Sequence, residues 1–346
     1  MFIARRLYRS KWALLLIIIA TIVVIILINS QEEAVEPSGI TSYGEFSNLS
    51  PHFPRYLTRT RILLPLRLII IVISRFDHFE NRKSIRKTWA NIDKLGVIFG
   101  KNLIRGPFFI IGNTFPSYIE HMITREKQTH NDIVTVNATD EFAELTPKML
   151  ETFRWIYENE KKWSDQDLYL STANDGYYIL KTDDDVYIDL YRLFLPIYGR
   201  MRSQQMTETV DKFIYGRVMR NAKVIRDSND KLFVSRSTYP FSRYPPYCSG
   251  ITYIFDSKML PEMLDMANRL PLLPNEDTFF TGTLAVALEM QHFHLPVVVY
   301  HYEAGTWNED DLCKAGNGSD ESRVVIHRLS PFEMIKVDLC SKFKFV

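Results

Sequence analysis

The apolar positions of this chain change period several times between residue 63 and residue 301, and each change predicts an element. Leu68 to Ser74 is a continuous β-branched run, the pattern of a strand buried on both faces. Arg75 to Asn91 reads as a turn and a helix, with Arg82 and Arg86 four residues apart and therefore on one face. Phe108 to Gly112 predicts a second buried strand, Ser117 to Gln128 a helix, and Asp132 to Val136 a third strand. From Leu145 to Lys162 apolar residues recur at Leu145, Met149, Leu150, Phe153, Ile156 and Tyr157, which is helical spacing. Thr146 can cap that helix, with Pro147 at its first position. Tyr177 to Leu180 is another buried strand, behind the turn signal Asn174-Asp175-Gly176. Strands alternating with helices argue for an α/β fold with a mostly parallel sheet.

The second half is more mixed. Lys212 to Gly216 and Ile251 to Phe255 predict strands, with a rigid Pro- and Gly-containing turn at Tyr244 to Gly250. Lys258 to Arg269 and Thr278 to Glu289 predict helices, and Val297 to His301 a last strand.

Chemistry concentrates at Asp183-Asp184-Asp185, placed by this pattern at the C-terminal end of the strand Tyr177–Leu180. In open α/β sheets ligands bind outside the carboxyl ends of strands. Three adjacent carboxylates repel one another unless a cation neutralises them, and their oxygens suit Mg²⁺ or Mn²⁺, which could in turn hold a diphosphate. The competing reading is a solvated acidic turn. Glu276-Asp277 opens a predicted helix. Carboxylates there serve equally as caps that complement the helix dipole or, beside a metal-type acidic strand end, as a general base.

Composition narrows the class. The chain has 346 residues, 46% hydrophobic and 13% aromatic, with a formal net charge of +1. No excess positive charge is available for nucleic acid. Residues 63–346 are enough for one large domain or two small ones. There is no zinc-type Cys/His spacing, no G-x-S-x-G and no phosphate-cradling glycine loop. Cys248, Cys313 and Cys340 allow one disulfide and one free thiol; Cys313 with Cys340 would tie down the tail, but spacing alone does not choose the pair.

The N-terminus sets the expected compartment. Residues 1–11 are basic, and 12–28 are uncharged and apolar. Seventeen helical residues span about 26 Å, the short end for a membrane span but longer than a cleaved signal's core. The sequence therefore predicts a cytoplasmic tail (1–11), a transmembrane signal anchor (12–28), a lumenal stem (29–62) and a lumenal domain (63–346). A short span suits a thin early-secretory membrane and points to a single-pass type II protein of the Golgi or ER. Three sequons, at Asn48, Asn137 and Asn317, are compatible with a lumenal domain.

Five stretches, in order, resemble the β-1,3-glycosyltransferases of the galactosyltransferase/N-acetylglucosaminyltransferase type, with the fringe and core-1 enzymes as cousins. They are Arg82-Lys-Ser-Ile-Arg86-Lys-Thr-Trp89, Lys181-Thr-Asp-Asp-Asp-Val-Tyr187, Pro245-Pro-Tyr-Cys-Ser-Gly250, Glu276-Asp277 and Val325-Ile-His327-Arg-Leu-Ser-Pro331. The resemblance implies a GT-A fold, with a Rossmann-like nucleotide-sugar half joined to an acceptor half. It implies inverting transfer of a hexose, galactose or an N-acetylhexosamine, from a UDP-sugar to a 3-hydroxyl of a glycan on a glycoprotein or glycolipid, with Mn²⁺ or another divalent cation. It assigns Asp277 as base, Asp183 and Asp185 as metal acids, and Asp183 and Asp184 to the donor. His301 is implied as third metal ligand, with His327 as rival. Arg82 and Arg86 either face the uridine diphosphate or are ion-paired helix residues. Two departures stand out: the family's glycine follows the base by four residues, whereas Gly282 follows Asp277 by five, and Asp189 replaces a frequent Asn. A non-catalytic lumenal partner of an active enzyme, a glycan-binding module, a retaining transferase, and homo- or heterodimers are the remaining alternatives.

Overall fold

The first strand of the sheet along the chain is β1, Leu68–Ile73, and every one of its residues is buried. Its side chains alternate between two layers, as a pleated strand requires: Leu68, Ile70 and Val72 enter one core, and Ile69, Ile71 and Ile73 the other. This is a computed structural model, and it describes residues 66–100, 103–166, 176–204, 212–295, 299–301 and 324–342. The expected anchor at 12–28 and stem at 29–62 lie outside these residues. Among the described residues no helix is long and apolar enough to cross a membrane.

Six further strands extend the sheet around β1. They are β2 (Ile104–Gly112), β3 (Ile133–Val136), β4 (Tyr178–Asp183), β6 (Phe213–Met219), β7 (Tyr247–Asp256) and β8 (Gln291–His294), in the order β3-β2-β1-β4-β7-β6-β8. β1 pairs in parallel with both β2 and β4, and β2 with β3. β7 runs antiparallel to β4 and β6, while β8 is parallel to β6. The chain thus winds outward from β1 to β3 and then returns to the other side of β1. That reversal opens a crevice at the carboxyl ends of β1 and β4, where doubly wound sheets bind ligands. The arrangement is mixed α/β with a mostly parallel sheet, and it fits the GT-A-like expectation. A second sheet, absent from the sequence expectations except for its edge near His301, is built from β5 (Val186–Ile188), β10 (Val325–His327) and β9 (Val299–His301).

Helices cover both faces. α1 (Phe79–Lys87), α2 (Ile92–Phe99), α3 (Ser117–His130), α4 (Leu145–Gln166), α5 (Leu190–Gln204) and α6 (Leu260–Ala267) follow the chain. α3 and α4 run beyond their predicted ends, α1 and α6 stop short of theirs, and α2 and α5 have no counterpart in the expected elements. Thr146 does not cap α4. It lies inside the first turn, and its hydroxyl donates to the carbonyl oxygen of Leu273 at 2.6 Å. Tertiary contact thus diverts it to brace the loop that leads to Glu276. The rigid turn expected at 244–250 ends early, because β7 already begins at Tyr247.

A buried ion pair ties the strand ends together. Lys148 of α4 donates to Asp140 at 2.6 Å and to the carbonyl oxygen of Ser74 at 2.7 Å. Asp140 in turn accepts from the backbone N–H groups of Gly112 and Phe76. The carboxyl ends of β1 and β2 are held by one side-chain pair. Cys340 of the last helix, α8 (Pro331–Lys342, numbered after the short α7 described below), is disulfide-bonded, and Cys248 is a buried free thiol. Cys313, one of the two candidate partners the sequence left open for Cys340, lies outside the described residues. Asn137 of the second sequon is exposed just past β3.

Candidate active site

β4 carries its acids past the sheet edge. Alternation puts Lys181 and Asp183 on one face of the strand and Thr182 and Asp184 on the other, and the contacts follow that division. Asp184 is buried, accepting from Ser74 Oγ at 2.6 Å and hydrogen-bonded to His78 Nδ1 at 2.8 Å. The backbone oxygen of Asp184 accepts from Asn81. This carboxylate bridges the crevice between β1 and β4, and its hydrogen bond raises the His78 pKa. Asp184 is therefore engaged by the scaffold.

Asp183 and Asp185 keep 35% and 37% of their side-chain surface exposed, so the crevice is open above them. Immediately after Asp185 the chain enters β5, which pairs antiparallel with β10 and sets His327 opposite Val186. His327 Nε2 stands 3.4 Å from Asp185 Oδ1. One ligand-type atom from each of Asp183, Asp185 and His327 lies within 4.8 Å of the others. Burial, reinforced by the charges of Asp183 and Asp184, pushes the Asp185 carboxyl up to about 7. Burial also raises that of Asp183, against the opposing charge of Lys181. Two carboxylates and one imidazole, with carboxylates that resist ionising together, form a donor set that suits a divalent cation such as Mn²⁺. The backbone of His301 pairs in register with that of His327 on β9. The side chain of His301, the ligand implied by resemblance, lies outside the described residues, so the third position in the described cluster is His327.

The bridge from this cluster to Glu276-Asp277 is Lys181, which sequence reasoning left without a role. It is buried in the middle of β4, and its Nζ donates to Asp183 at 2.9 Å, to Glu276 at 2.7 Å and to the carbonyl oxygen of Gly250. A lysine inside an apolar strand is the signal that could have found it, because a buried ammonium is retained only with acidic partners. Despite the burial, those acids raise its pKa and keep it charged. Glu276, whose carboxyl burial pushes up to about 7, also accepts from Tyr253 at 3.1 Å.

Asp277 is half-buried. Its Oδ1 accepts from Thr278 N at 2.8 Å and its Oδ2 from Gly250 N at 3.1 Å. Two backbone donors from different elements fix the carboxylate plane, and burial raises its pKa despite them. One oxygen caps the helix, as the capping reading has it, while the carboxylate remains partly open and more basic than usual. The helix it opens is not an ordinary α-helix. Thr278–Leu284 is π-helical and passes into α7, Ala285–Ala287. A π turn uses one more residue than an α turn, and Gly282 within it packs on the turn before β7, where an added Cβ would lie 3.1 Å from Tyr247 Cβ.

Gly250 is where Lys181, Glu276 and Asp277 converge. A Cβ there would meet Glu276 Oε1 at 3.0 Å, Asp277 Cβ at 3.4 Å and Lys181 Nζ at 3.5 Å. If the Asp277 carboxylate serves as a base, Gly250→Ala is expected to lower kcat by about tenfold or more through its displacement. Steady-state kinetics of the purified variant checks this.

Arg82 and Arg86 are held in the scaffold. Arg82 is fully buried, paired with Glu126 at 2.7 Å, and donates to Ser74 Oγ and to the backbone oxygens of Arg75 and Phe76. Arg86 pairs with Asp132 at 2.7 Å and with Glu126 at 2.8 Å. Of the two open readings, the ion-paired one is realised in the geometry for both arginines. Arg82 acts at one remove, orienting the Ser74 hydroxyl that holds Asp184.

The sequence model of the Galactosyltransferase family matches residues 80–296, and the chain belongs to this family, among its β-1,3-glycosyltransferases. Human beta-1,3-galactosyltransferase 5 is 27% identical over 215 residues, covering 62% of this chain and 61% of that protein. Mouse beta-1,3-galactosyltransferase 1 is 26% identical over 212 residues, covering 61% and 58%. The match thus spans about three-fifths of the length of these relatives. A glycosyltransferase involved in the glycosylation of the major capsid of PBCV-1 aligns over 80% of this chain and 98% of its own, with 9% identity and a TM-score of 0.33.

Proposed function

We propose that this protein is an inverting, divalent-metal-dependent β-1,3-hexosyltransferase of the Golgi membrane, anchored by residues 12–28. Its donor is a UDP-sugar carrying galactose or an N-acetylhexosamine, and its acceptor a 3-hydroxyl of a glycan. The observation that carries this reading is the junction of the Asp183–Asp185–His327 cluster with Asp277 through Lys181 and Glu276. Asp183, Asp185 and His327 would hold the cation. When bound, it neutralises charge developing on the departing diphosphate. Asp277 takes the proton of the acceptor hydroxyl as that oxygen attacks the anomeric carbon and UDP leaves from the opposite face. A single displacement needs one base and no carboxylate nucleophile. Burial suits Asp277 to this task by bringing its pKa nearer to the working pH.

The test is UDP release by the purified full chain, offered UDP-Gal, UDP-GlcNAc, UDP-GalNAc and UDP-Glc with a mixed glycan pool and either Mn²⁺ or EDTA. Release with one donor, dependent on Mn²⁺, is the expected result. A folded chain that neither releases nor binds UDP would leave the non-catalytic partner as the better reading.

Two further outcomes follow from the cluster. His327→Ala is expected to weaken Mn²⁺ binding more than His301→Ala, as read by calorimetry; the reverse order would return the ligand role to His301. Mn²⁺ affinity is also expected to depend on pH. With a carboxyl near 7, Asp185 must lose a proton to bind metal. Affinity should therefore fall by up to about tenfold per pH unit below 7 and level off above it. Titrations at pH 5.5, 6.5 and 7.5 would show this slope.

A further inference from the structure

The segment between β6 and β7 is organised around a cation. Arg226 donates to the backbone oxygens of Val234 at 2.7 Å, Tyr239 at 2.8 Å and Phe241. A short ladder, Val224 N to Ser242 O and Tyr244 N to Ala222 O, pairs Lys223 with Arg243 across it. Beside this ladder lies a half-open cavity of ≈ 250 Å³ lined by Lys223, Val224, Arg226, Arg236, Ser242 and Arg243. Four of its six lining residues are cationic, and none is acidic. Among the described residues no ion pair joins any of these four to a carboxylate. The nearby acids Asp227 and Asp230 are turned into their own turns, accepting from the N–H groups of Asn229 and Leu232.

In a chain of net charge +1, four unneutralised cations around one small cavity repel one another, and an anion between them removes that cost. The forks of Arg226 and Arg243 are already engaged with backbone carbonyl oxygens, so these two residues supply charge, while the planar guanidinium of Arg236 and the ammonium of Lys223 suit the oxygens of sulfate, phosphate or carboxylate. The cavity also lies on the Asp277 end of the site. Tyr239 and Tyr244 pack with ring centroids 5.2 Å apart, and Arg226 donates to the backbone of the first. The hydroxyl of Tyr244 meets Asn275 Nδ2 at 3.5 Å, two residues before Asp277, and the same Asn275 nitrogen reaches the carbonyl oxygen of Leu232. One aromatic layer therefore separates the basic cavity from the base that activates the acceptor.

We propose that the cavity of Lys223, Arg226, Arg236 and Arg243 holds an anionic substituent of the acceptor, a sulfate, phosphate or uronate carboxylate, and so selects negatively charged glycans. This rests on the transferase reading and adds the acceptor class to it. The donor side is unaffected, because the metal cluster and the cavity share no residue.

The test uses the purified full chain and matched oligosaccharide pairs, each a neutral glycan and its monosulfated, monophosphorylated or glucuronate-bearing counterpart. Binding is measured with and without UDP and Mn²⁺. The variant is Lys223→Ala with Arg236→Ala, both exposed, leaving in place Arg226 and Arg243, which knit the segment together. The charged member of at least one pair is expected to bind about tenfold tighter, and the three arms show which oxyanion is preferred. The double variant is expected to reduce that advantage to about twofold or less, with neutral glycans and Mn²⁺-dependent UDP binding unchanged. Exchange of the two residues for Arg and Lys respectively should restore it. Equal binding of all matched pairs by the unaltered chain, or a preference that survives in the double variant, would overturn the proposal. So would loss of binding to anionic phospholipid vesicles without any glycan preference, which would assign the patch to a membrane surface. Failure of the transferase reading shows separately, as absence of Mn²⁺-dependent UDP binding in the unaltered chain.

Discussion

Asp277→Asn is expected to lower kcat by about 10²–10⁴-fold, the contribution of a positioned general base, while Mn²⁺-dependent UDP binding stays within about twofold. The substitution keeps size and shape. One side-chain oxygen still accepts a backbone N–H; what goes is the charge and the capacity to take a proton. The two contacts that fix Asp277, from Thr278 N and Gly250 N, come from the protein and not from the metal cluster, so the donor half of the site has no reason to collapse. The pH dependence of kcat adds a second check. Asp277 must be ionised to act, so activity should fall on the acid side, with its limb above the usual aspartate range because burial raises the pKa. Single-turnover transfer and UDP binding, measured on one preparation, separate the two effects. Substantial transfer by the Asn variant would remove Asp277 from the role of base.

The second large effect is expected at Lys181, and it is one of stability. Lys181→Met removes the counter-charge of Glu276, which is buried, and one partner of Asp183. Breaking a buried pair by deleting one member costs about 3–5 kcal/mol, which for a domain of this size is a fall in Tm on the order of 10 °C. The sign with pH can be worked out. Glu276 already has a folded-state pKa of about 7, above its ordinary 4.5, and Lys181 is what holds it down. Without Lys181 the folded-state value rises further. A carboxyl whose folded pKa is raised favours the folded state while protonated, and that contribution is lost as pH rises through the folded value. The variant's deficit should therefore be smaller near pH 6 and grow toward pH 9. Thermal melts across that range check both the size and the direction. A deficit independent of pH would mean that Glu276 is not the group left uncompensated.

These two residues show how legibility divides. Asp277 was readable because it sits in a short motif with a known chemical use, and because an acid at a helix start is conspicuous. Lys181 stands in the same run as the aspartates but shows no task in the sequence, since its partners Glu276 and Gly250 are 95 and 69 positions away. His327 is a similar case. Its stretch was recognised by resemblance, but its meeting with Asp185 depends on β5 and β10 pairing antiparallel. That pairing joins three-residue strands, too short to carry a period. Arg82 and Arg86 are a different case. Two arginines on one helical face fit a nucleotide contact and an ion pair equally, and only the tertiary structure shows Glu126 and Asp132 paired with both guanidinium groups.

The sequence by itself determined the parallel half of the sheet, the strand-end position of Asp183 to Asp185, and the helix-start position of Asp277. Those follow from local rules: continuous β-branched runs for strands buried on both faces, helical apolar spacing, and the ligand-binding end of such sheets. The family was legible for the same reason, because its motifs are short and lie in a fixed order. Only the tertiary structure decided which acids face one another, which arginines are already neutralised and which histidine stands beside Asp185. It also decided that the helix after Asp277 opens as π turns and where a basic cavity without an acidic partner among the described residues lies. Those outcomes are set by contacts between residues far apart in the chain, where burial and charge compensation, rather than local pattern, determine what each side chain is free to do.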